Sequence, residues 1–271
     1  MGLGGTTRLF DDIYMSFRTS IARIKPVSRA GDYCPFCDRK SIYEEGKVIR
    51  EEHPFMLVEN KFQTLEHAYQ MVLIESETCD NDLSNYNKEH LHRLLQFGVR
   101  CWQEIEESGE YSSVVFFKNH GVHSGGSVFH PHMQIVGLNT IDYTKHVYPH
   151  HFVGLVIDEK EGVQFSLSRY PRSGFTEFNI VLRDFSMLSY MADYIQVAVH
   201  FLLNHMNKKY QSYNIFFYRL EDGIAAKVIL RAPGSPYLMG YSIVQVPDNQ
   251  QEIIDRVQSL YFSTSFGENT T

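Results

Sequence analysis

The sequence has few of the features that mark membrane proteins and nucleic-acid-binding proteins. It contains 25 Lys and Arg against 32 Asp and Glu, which gives a formal net charge of −7 at pH 7. Phosphate backbones are bound by clustered Lys and Arg, so this charge argues against a nucleic-acid partner. Its longest apolar runs, such as residues 71–74, are too short to span a bilayer. We therefore expect small-molecule partners, without nucleic acid or membrane.

Cysteine is also scarce, with four residues in 271. The N-terminal residues lack the basic-then-apolar pattern of a secretory signal, so we expect a cytoplasmic protein. In that reducing compartment, cysteines serve as metal ligands or buried thiols more often than as disulfide partners. The length and apolar content allow a good core, in one large domain or in two small, related halves.

The predicted strands and helices follow a similar order twice along the chain. In the first half, strands are predicted over 47–50, 55–58, 70–74, 114–118 and 132–138, with a helix over about 84–108. After a polar, histidine-rich stretch, strands are predicted over 152–156, 163–167, 178–182, 214–218, 227–231 and 241–246, with helices over 187–206 and 249–260. We interpret the chain as α+β, with halves at 1–145 and 146–271, although no residue-level repeat is visible.

A glycine-rich turn leads into a His-Pro-His-x-Gln motif and then a strand. Gly125-Gly126-Ser127 permits close approach of the backbone and can offer N–H groups and a hydroxyl to a phosphate. Such a triplet is more often only a turn. His130 and His132 would lie on one side of a strand, because side chains alternate with a period of two, and Gln134 continues that row. The alternative is three exposed polar residues on a solvated sheet face.

The spacing of the cysteines suits a metal site. Cys34-Pro35-Phe36-Cys37 is a C-x-x-C turn, which can offer two thiolates to a tetrahedral zinc or form a redox pair, although its flanks lack thioredoxin-like character. Two further ligands would have to come from Cys79, Cys101 or the histidines. Cys101 lies on the apolar stripe of the predicted helix and is assigned to the core. Cys79 lies in a polar loop and is the better ligand candidate, or else an incidental surface cysteine.

Together these residues resemble a known family. The pattern Asn119-x-Gly121-x-x-x-Gly125-x-Ser127-x-x-His130-Pro131-His132-x-Gln134 resembles the active-site motif of the galactose-1-phosphate uridylyltransferases. That branch of the histidine-triad superfamily includes sugar-nucleotide phosphorylases. Cys34-x-x-Cys37 resembles its zinc pair, Asn60-Lys61-Phe62 its nucleotide-side segment, and residues 72–83 the strand and loop that carry its third zinc ligand. The resemblance implies histidine-triad-like antiparallel sheets with packed helices, and a divergent, shortened second half.

The resemblance also implies a role for each residue. It implies one zinc on Cys34, Cys37, Cys79 and His130, with Cys79 at the position of a family histidine; Cys₃His is a common zinc set. It implies that His132 is the nucleophile, which attacks the α-phosphorus of the donor and so takes up the nucleotidyl group. The residues that it places around the nucleotide are Asn60, Phe62, Asn119, Gly125, Gly126, Ser127 and Gln134. Of these, Asn119, Ser127 and Gln134 match family residues that hold the phosphoryl oxygens, so that Ser127 and Gln134 join His132 as expected catalytic residues.

Gln134 favours transfer over hydrolysis. Histidine-triad hydrolases carry a motif of the form His-x-His-x-His, whose last histidine can pass a proton to the leaving group. An amide at that position cannot act as a general acid. The expected donor is a nucleoside diphosphate sugar or related nucleotide, and the acceptor a sugar phosphate or phosphate. Since dimers are common in the resembled family, a homodimer is possible.

The second half gives a less definite prediction. Residues 223–233 contain none of the histidines that the family carries in the comparable strand. Lys227 and Arg231 are read either as phosphate ligands or as solvated charges. The cluster of His146, His150 and His151 is read either as a second metal or phosphate site or as a polar linker. The alternative function is therefore a catalytically idle, zinc-stabilised nucleotide-binding or scaffold protein.

Overall fold

The computed structural model describes residues 14–25, 27, 31, 33–206 and 209–263, and one ten-stranded antiparallel sheet lies at its centre. The strands are β1 (Val48–Glu52), β2 (Phe55–Glu59), β3 (Ala68–Ile74), β4 (Ser113–His120), β5 (His132–Leu138), β6 (Gly154–Lys160), β7 (Val163–Ser168), β8 (Glu177–Leu182), β9 (Tyr213–Leu220) and β10 (Gly223–Leu230). The α-helices are α1 (Thr19–Ile24), α2 (Arg39–Glu44), α3 (Lys88–Glu107), α4 (Leu188–Phe201), α5 (Pro236–Tyr241) and α6 (Gln250–Tyr261).

The strand order shows that the two halves are related. The order across the sheet is β1-β2-β3-β5-β4-β9-β10-β8-β7-β6, so the second half repeats the first when both are read inward from their own edges. The halves join where β4 pairs with β9, with Phe116 opposite Phe217 and their ring centroids 4.4 Å apart. The α+β prediction with two related halves is confirmed, and the sheets of the two halves form one continuous sheet.

A pseudo-two-fold axis passes through this junction. One row of successively paired residues crosses it, namely Gln134, Phe117, Phe216 and Lys227. An axis between Phe117 and Phe216 maps Gln134 onto Lys227. It therefore maps His132, two residues earlier on β5, onto Ala225 of β10. The second half has an alanine where the first half has its candidate nucleophile.

One face of the sheet is covered by α3 and α4. Asn87 caps α3, since its side chain accepts a hydrogen bond from the backbone N–H of His90 at 2.9 Å. Trp102 on α3 is fully buried, and its Nε1 donates to the backbone oxygen of Val114 at 2.8 Å. Cys101 is only 2% exposed, which confirms its assignment to the core. Among the described helices, none has the length and apolarity needed to cross a membrane.

The predicted strand over 241–246 is wrong. Residues Pro236–Tyr241 form α5, because Ser235 accepts a hydrogen bond from the backbone N–H of Tyr237 as N-cap and Pro236 occupies the first turn. Ser242 ends the helix with a φ of 56°. Several apolar side chains of this segment are exposed, including Tyr241 and Ile243, so the segment has no buried face that would favour a strand. The strand predicted to begin at residue 152 begins instead at Gly154, since Pro149–Phe152 forms a 3₁₀ turn.

Both interpretations of Lys227 are wrong as well. Its side chain is fully buried on β10, and its Nζ donates to the side-chain oxygens of Asn179 at 2.7 Å, Glu177 at 3.0 Å and Ser168 at 3.3 Å. Burial lowers the pKa of Lys227, and the Glu177 carboxylate opposes that change. This lysine is part of an internal ion pair, with neither solvent nor a phosphate as its partner.

The buried ion pair gives a prediction about stability. Lys227→Met leaves Glu177 buried without its cation, which should lower the free energy of unfolding by about 3–5 kcal/mol. Replacing both residues, as Lys227→Met with Glu177→Leu, should recover part of that loss. Lys47→Met is the control, because the Lys47–Glu59 pair is one third exposed on each side and should be worth less than about 1 kcal/mol. Urea denaturation measures all three, and equal losses for the two single variants would contradict the prediction.

Candidate active site and metal site

Three segments of the first half bring three cysteines and one histidine together. Cys34 and Cys37 lie in the turn before α2, Cys79 lies in the loop after β3, and His130 immediately precedes β5. The Nδ1 atom of His130 is 3.3 Å from Sγ of Cys34, 3.4 Å from Sγ of Cys37 and 3.3 Å from Sγ of Cys79. The four ligand atoms all lie within 4.8 Å of one another. The loops thus form one Cys₃His cluster that could bind a metal ion.

The close spacing of these four atoms suits a single metal ion. A tetrahedron with Zn–S of about 2.3 Å and Zn–N of about 2.0 Å has edges of about 3.5–3.8 Å. The Sγ atoms of Cys37 and Cys79 are 3.6 Å apart. Burial, followed by hydrogen bonds with the other two thiols, raises the pKa of Cys79. A divalent cation would favour the thiolate forms that this crowding otherwise disfavours.

The Glu75-Ser76 segment at the end of β3 binds the His-Pro-His motif. The backbone N–H of Glu75 donates to the oxygen of Pro131 at 3.2 Å, and the Ser76 oxygen accepts from Nε2 of His130 at 3.0 Å. Because a carbonyl oxygen only accepts, this second bond places the ring proton on Nε2. The lone pair of Nδ1 is then available to a metal. Lys118 Nζ donates to both the Glu75 carboxylate and the backbone oxygen of His132, the latter at 3.4 Å. Glu75 and Lys118 are both fully buried.

A hydrogen bond sets the tautomer of His132. Its Nδ1 lies 2.7 Å from the backbone oxygen of His130. Because a carbonyl oxygen only accepts, Nδ1 carries the proton and Nε2 keeps a free lone pair while the ring is neutral. Burial lowers the pKa of His132 to about 3, so the ring is neutral at pH 7. The ring of Phe36, which the sequence did not single out, lies 5.4 Å from that of His132.

A cavity of about 320 Å³ opens beside His132. The predicted site residues that line it are Asn60, Phe62, Gly125, Gly126, Ser127, His132 and Gln134. Further residues that the sequence analysis did not assign to the site also line it, among them the apolar Ile42, Val58 and Val72 and the cationic Lys25. Two ion pairs lie in the same wall, Lys47 with Glu59 at 3.3 Å and Lys61 with Glu45 at 2.6 Å. The individual residue types carried no signal in the sequence, because strand and helix faces form a wall only after folding. The cavity combines apolar surface, paired charges and a glycine-rich loop.

Two predicted residues lie outside the cavity wall. His130 turns toward the cysteines, so the expectation that three polar side chains of the motif would converge is wrong for this residue. The reason is that β5 begins at His132, and His130 lies in the preceding loop, where strand alternation does not apply. Asn119 lies next to Gly126 of the glycine-rich loop without lining the cavity, and its Oδ1 accepts a hydrogen bond from Asn214 of β9 at 2.6 Å.

The second-half histidines and Arg231 are not part of this site. The rings of His150 and His151 are 4.4 Å apart, but in the part of the chain that the structure describes they belong to no metal-capable group. Arg231 lies just beyond β10, and its Nε is 3.5 Å from the backbone oxygen of His123. The chemistry-bearing residues are therefore concentrated in the first half.

The chain matches the models of one known protein family in both of its halves. Profiles for the N-terminal and C-terminal domains of a family described as a domain of unknown function, DUF4931, match residues 17–141 and 144–262. A DUF4931 family protein of known structure from Bacillus cereus is 35% identical, with a TM-score of 0.73, over 80% of this chain and 100% of that one. This chain belongs to the DUF4931 family. No curated protein matches it significantly in sequence.

More distant structures share the fold of this DUF4931 protein. An ADP-glucose phosphorylase from Arabidopsis thaliana, solved with bound ADP-glucose, is 14% identical with a TM-score of 0.64, over 89% of this chain and 94% of that one. A uridylyltransferase is 14% identical with a TM-score of 0.64, over 87% of this chain and 93% of that one. The fold that the resemblance predicts is confirmed, because this chain shares its fold with a uridylyltransferase and an ADP-glucose phosphorylase.

The cluster geometry predicts which cysteine substitution removes metal. Cys79→Ala should lower the zinc content of the purified protein and its melting temperature, because it removes one of four ligands and metal binding is coupled to folding. Cys101→Ala should leave the zinc content unchanged, since that thiol lies on the buried face of α3, in the hydrophobic core. Mass spectrometry of the metal and thermal unfolding measure the two effects. Zinc loss in the Cys101 variant with full zinc in the Cys79 variant would overturn the ligand assignment.

Proposed function

We propose that this protein is a nucleotidyltransferase that works through a covalent nucleotidyl intermediate on His132. The observation that carries the proposal is the bond from Nδ1 of His132 to the oxygen of His130, which leaves the Nε2 lone pair free beside the cavity. A neutral, oriented imidazole is the form of histidine that acts as a nucleophile. The fold shared with an ADP-glucose phosphorylase and a uridylyltransferase supports the same class.

The reaction would proceed in two displacements at phosphorus. In the first, Nε2 of His132 forms a bond to the α-phosphorus of the donor, and the bond to the bridging oxygen breaks with its electron pair. The leaving sugar phosphate or phosphate takes its proton from solvent. In the second, a phosphate oxygen of the acceptor forms a bond to the same phosphorus, and the N–P bond breaks. The histidine returns to its starting state, which splits one difficult transfer into two easier ones.

The glycine-rich loop and Gln134 would hold the phosphoryl oxygens. Gly125 and Gly126 allow the backbone to approach a phosphate closely, and Ser127 adds a hydroxyl to the same wall. Gln134 lies two residues beyond His132 on β5 and lines the same cavity, so its amide N–H can reach charge that develops at the phosphorus. As the amide cannot donate a proton to a leaving group, transfer is favoured over hydrolysis.

We assign the nucleoside to the cavity around Asn60 and Phe62, with a nucleoside diphosphate sugar or related nucleotide as donor. Zinc on Cys34, Cys37, Cys79 and His130 would be structural and would fix the loop that positions His132. Three closely spaced thiols need a reducing environment, which is the reason for proposing the cytoplasm. The first half, up to about residue 145, would carry the chemistry.

Intact-mass measurement tests the proposal. The protein should gain the mass of one nucleotidyl group after separate incubation with UDP-glucose, ADP-glucose or a dinucleoside polyphosphate, and the productive donor identifies the base. His132→Ala should form no adduct, because it removes the attacking nitrogen. His123→Ala is the matched control, since His123 lies in the loop of the same motif but is exposed and does not line the cavity; it should retain the adduct.

Two outcomes of these mass measurements would contradict the proposal. A folded, zinc-loaded protein that forms no adduct with any donor would support an idle nucleotide-binding or scaffold protein. An adduct that persists in the His132 variant would remove the proposed nucleophile. Inorganic phosphate or a sugar phosphate added after isolation of the adduct should discharge it faster than buffer alone, which separates a transferase from a hydrolase.

A further inference from the structure

The glycine-rich loop of the first half contacts the residues of the second half that lead into β9. The backbone N–H of His123 donates to Oγ of Ser212 at 3.1 Å. Gly121 has a φ of 80°, and a Cβ at this position would lie 2.2 Å from the backbone oxygen of Gln211. Only glycine permits this contact, so the loop is fitted closely to the second half.

Asn214 makes the central contacts in this junction. It is 2% exposed, and its Nδ2 lies 3.1 Å from the backbone oxygen of Ser124, 3.3 Å from that of Lys118 and 2.6 Å from Oδ1 of Asn119. Two of these partners are carbonyl oxygens, which only accept, so the atom facing them is the amide nitrogen. It follows that the atom of Asn119 facing Asn214 is its oxygen. The N–H groups of Asn119 are therefore directed away from β9.

The sheet register places Asn119 beside the candidate nucleophile. Lys118 pairs with Met133, and the antiparallel register continued by one pair sets Asn119 opposite His132. Phe117 pairs with Gln134, and residues two apart share a face, so Asn119, His132 and Gln134 lie on the same side of the sheet. Side chains that oppose each other on one face lie about 5 Å apart at Cβ.

We propose that Asn214 of the second half is a positioning residue that orients the Asn119 amide with its N–H groups toward the phosphoryl group on His132. The inference rests on the proposed function, because it specifies how one phosphate donor of that site is set. A reversed Asn119 amide would present its oxygen to an anionic phosphate oxygen, and the two acceptors would repel. The second half thus takes part in the reaction without touching the substrate.

A double-mutant cycle distinguishes this role from a general structural one. Asn214→Ala should raise the donor concentration needed for half-maximal adduct formation about tenfold, since one charge-assisted hydrogen bond is lost or misdirected. Asn119→Ala should have an effect of at least that size. The double variant should match Asn119→Ala alone, because Asn214 acts through Asn119. Zinc content should stay unchanged in all three.

The control is Asn179→Ala, because Asn179 is an equally buried asparagine of the second half that contacts Lys227 and not the loop. It should lower stability without changing the half-maximal donor concentration. Effects of the two single variants that multiply, to about a hundredfold in the double variant, would overturn the inference. So would an Asn214 variant with the donor dependence of the parent protein.

The proposed function and the inference fail in different ways. If the parent protein forms no adduct with any donor, the proposed function is wrong, and the same four variants are then compared by calorimetric titration with AMP and UMP. Coupled losses of nucleotide affinity at positions 119 and 214 would support the orienting role. Equal affinity in the parent protein and the Asn214 variant, or no affinity in either, would overturn it.

Discussion

The hydrogen bonds between the Glu75-Ser76 segment and the His-Pro-His motif are the constraint on which the site depends. They fix the backbone at Pro131, the ring of His130 and, through Lys118, the carbonyl of His132. One short segment thereby positions both His130, a member of the Cys₃His cluster, and the candidate nucleophile His132. Its central ion pair is fully buried, and a buried pair persists only while each charge has its partner and its hydrogen bonds. The same buried pair therefore ties the start of β5 to the end of β3.

Much of this site could be predicted from the sequence because its signals are local. A C-x-x-C turn, a cysteine in a polar loop and a His-Pro-His-x-Gln motif each fix a residue type at a short spacing, and the fold brings Cys34, Cys37, Cys79 and His130 together. The helix over 84–108 was predictable for the same reason, since its apolar residues recur at helical spacing and Gly109 follows it. The similar order of elements in the two halves also followed from local patterns.

The remaining parts depend on cross-strand pairing, which a local pattern does not contain. In the sequence, Lys118 is a single charged residue within an apolar strand. Its partners, Glu75 and the backbone oxygen of His132, become visible only once β3, β4 and β5 are paired. Asn214 is an ordinary strand residue until β9 pairs with β4. Lys227 was misread because its partners lie on β7 and β8, about fifty residues away. Register between distant strands is set by topology and packing, and a single sequence shows neither directly.

The join between β4 and β9 explains why a second half with alanine at the pseudo-equivalent of His132 still matters. Without β9, β4 would be an edge strand with unpaired backbone groups beside the glycine-rich loop. The join satisfies those groups and places Ser212 and Asn214 against the loop that follows β4. The symmetric architecture therefore holds an asymmetric candidate site: the first half carries His132, and the second half contacts the loop and the Asn119 amide beside it. A histidine in place of Ala225 would have neither the cysteines nor the glycine-rich loop of the first half beside it.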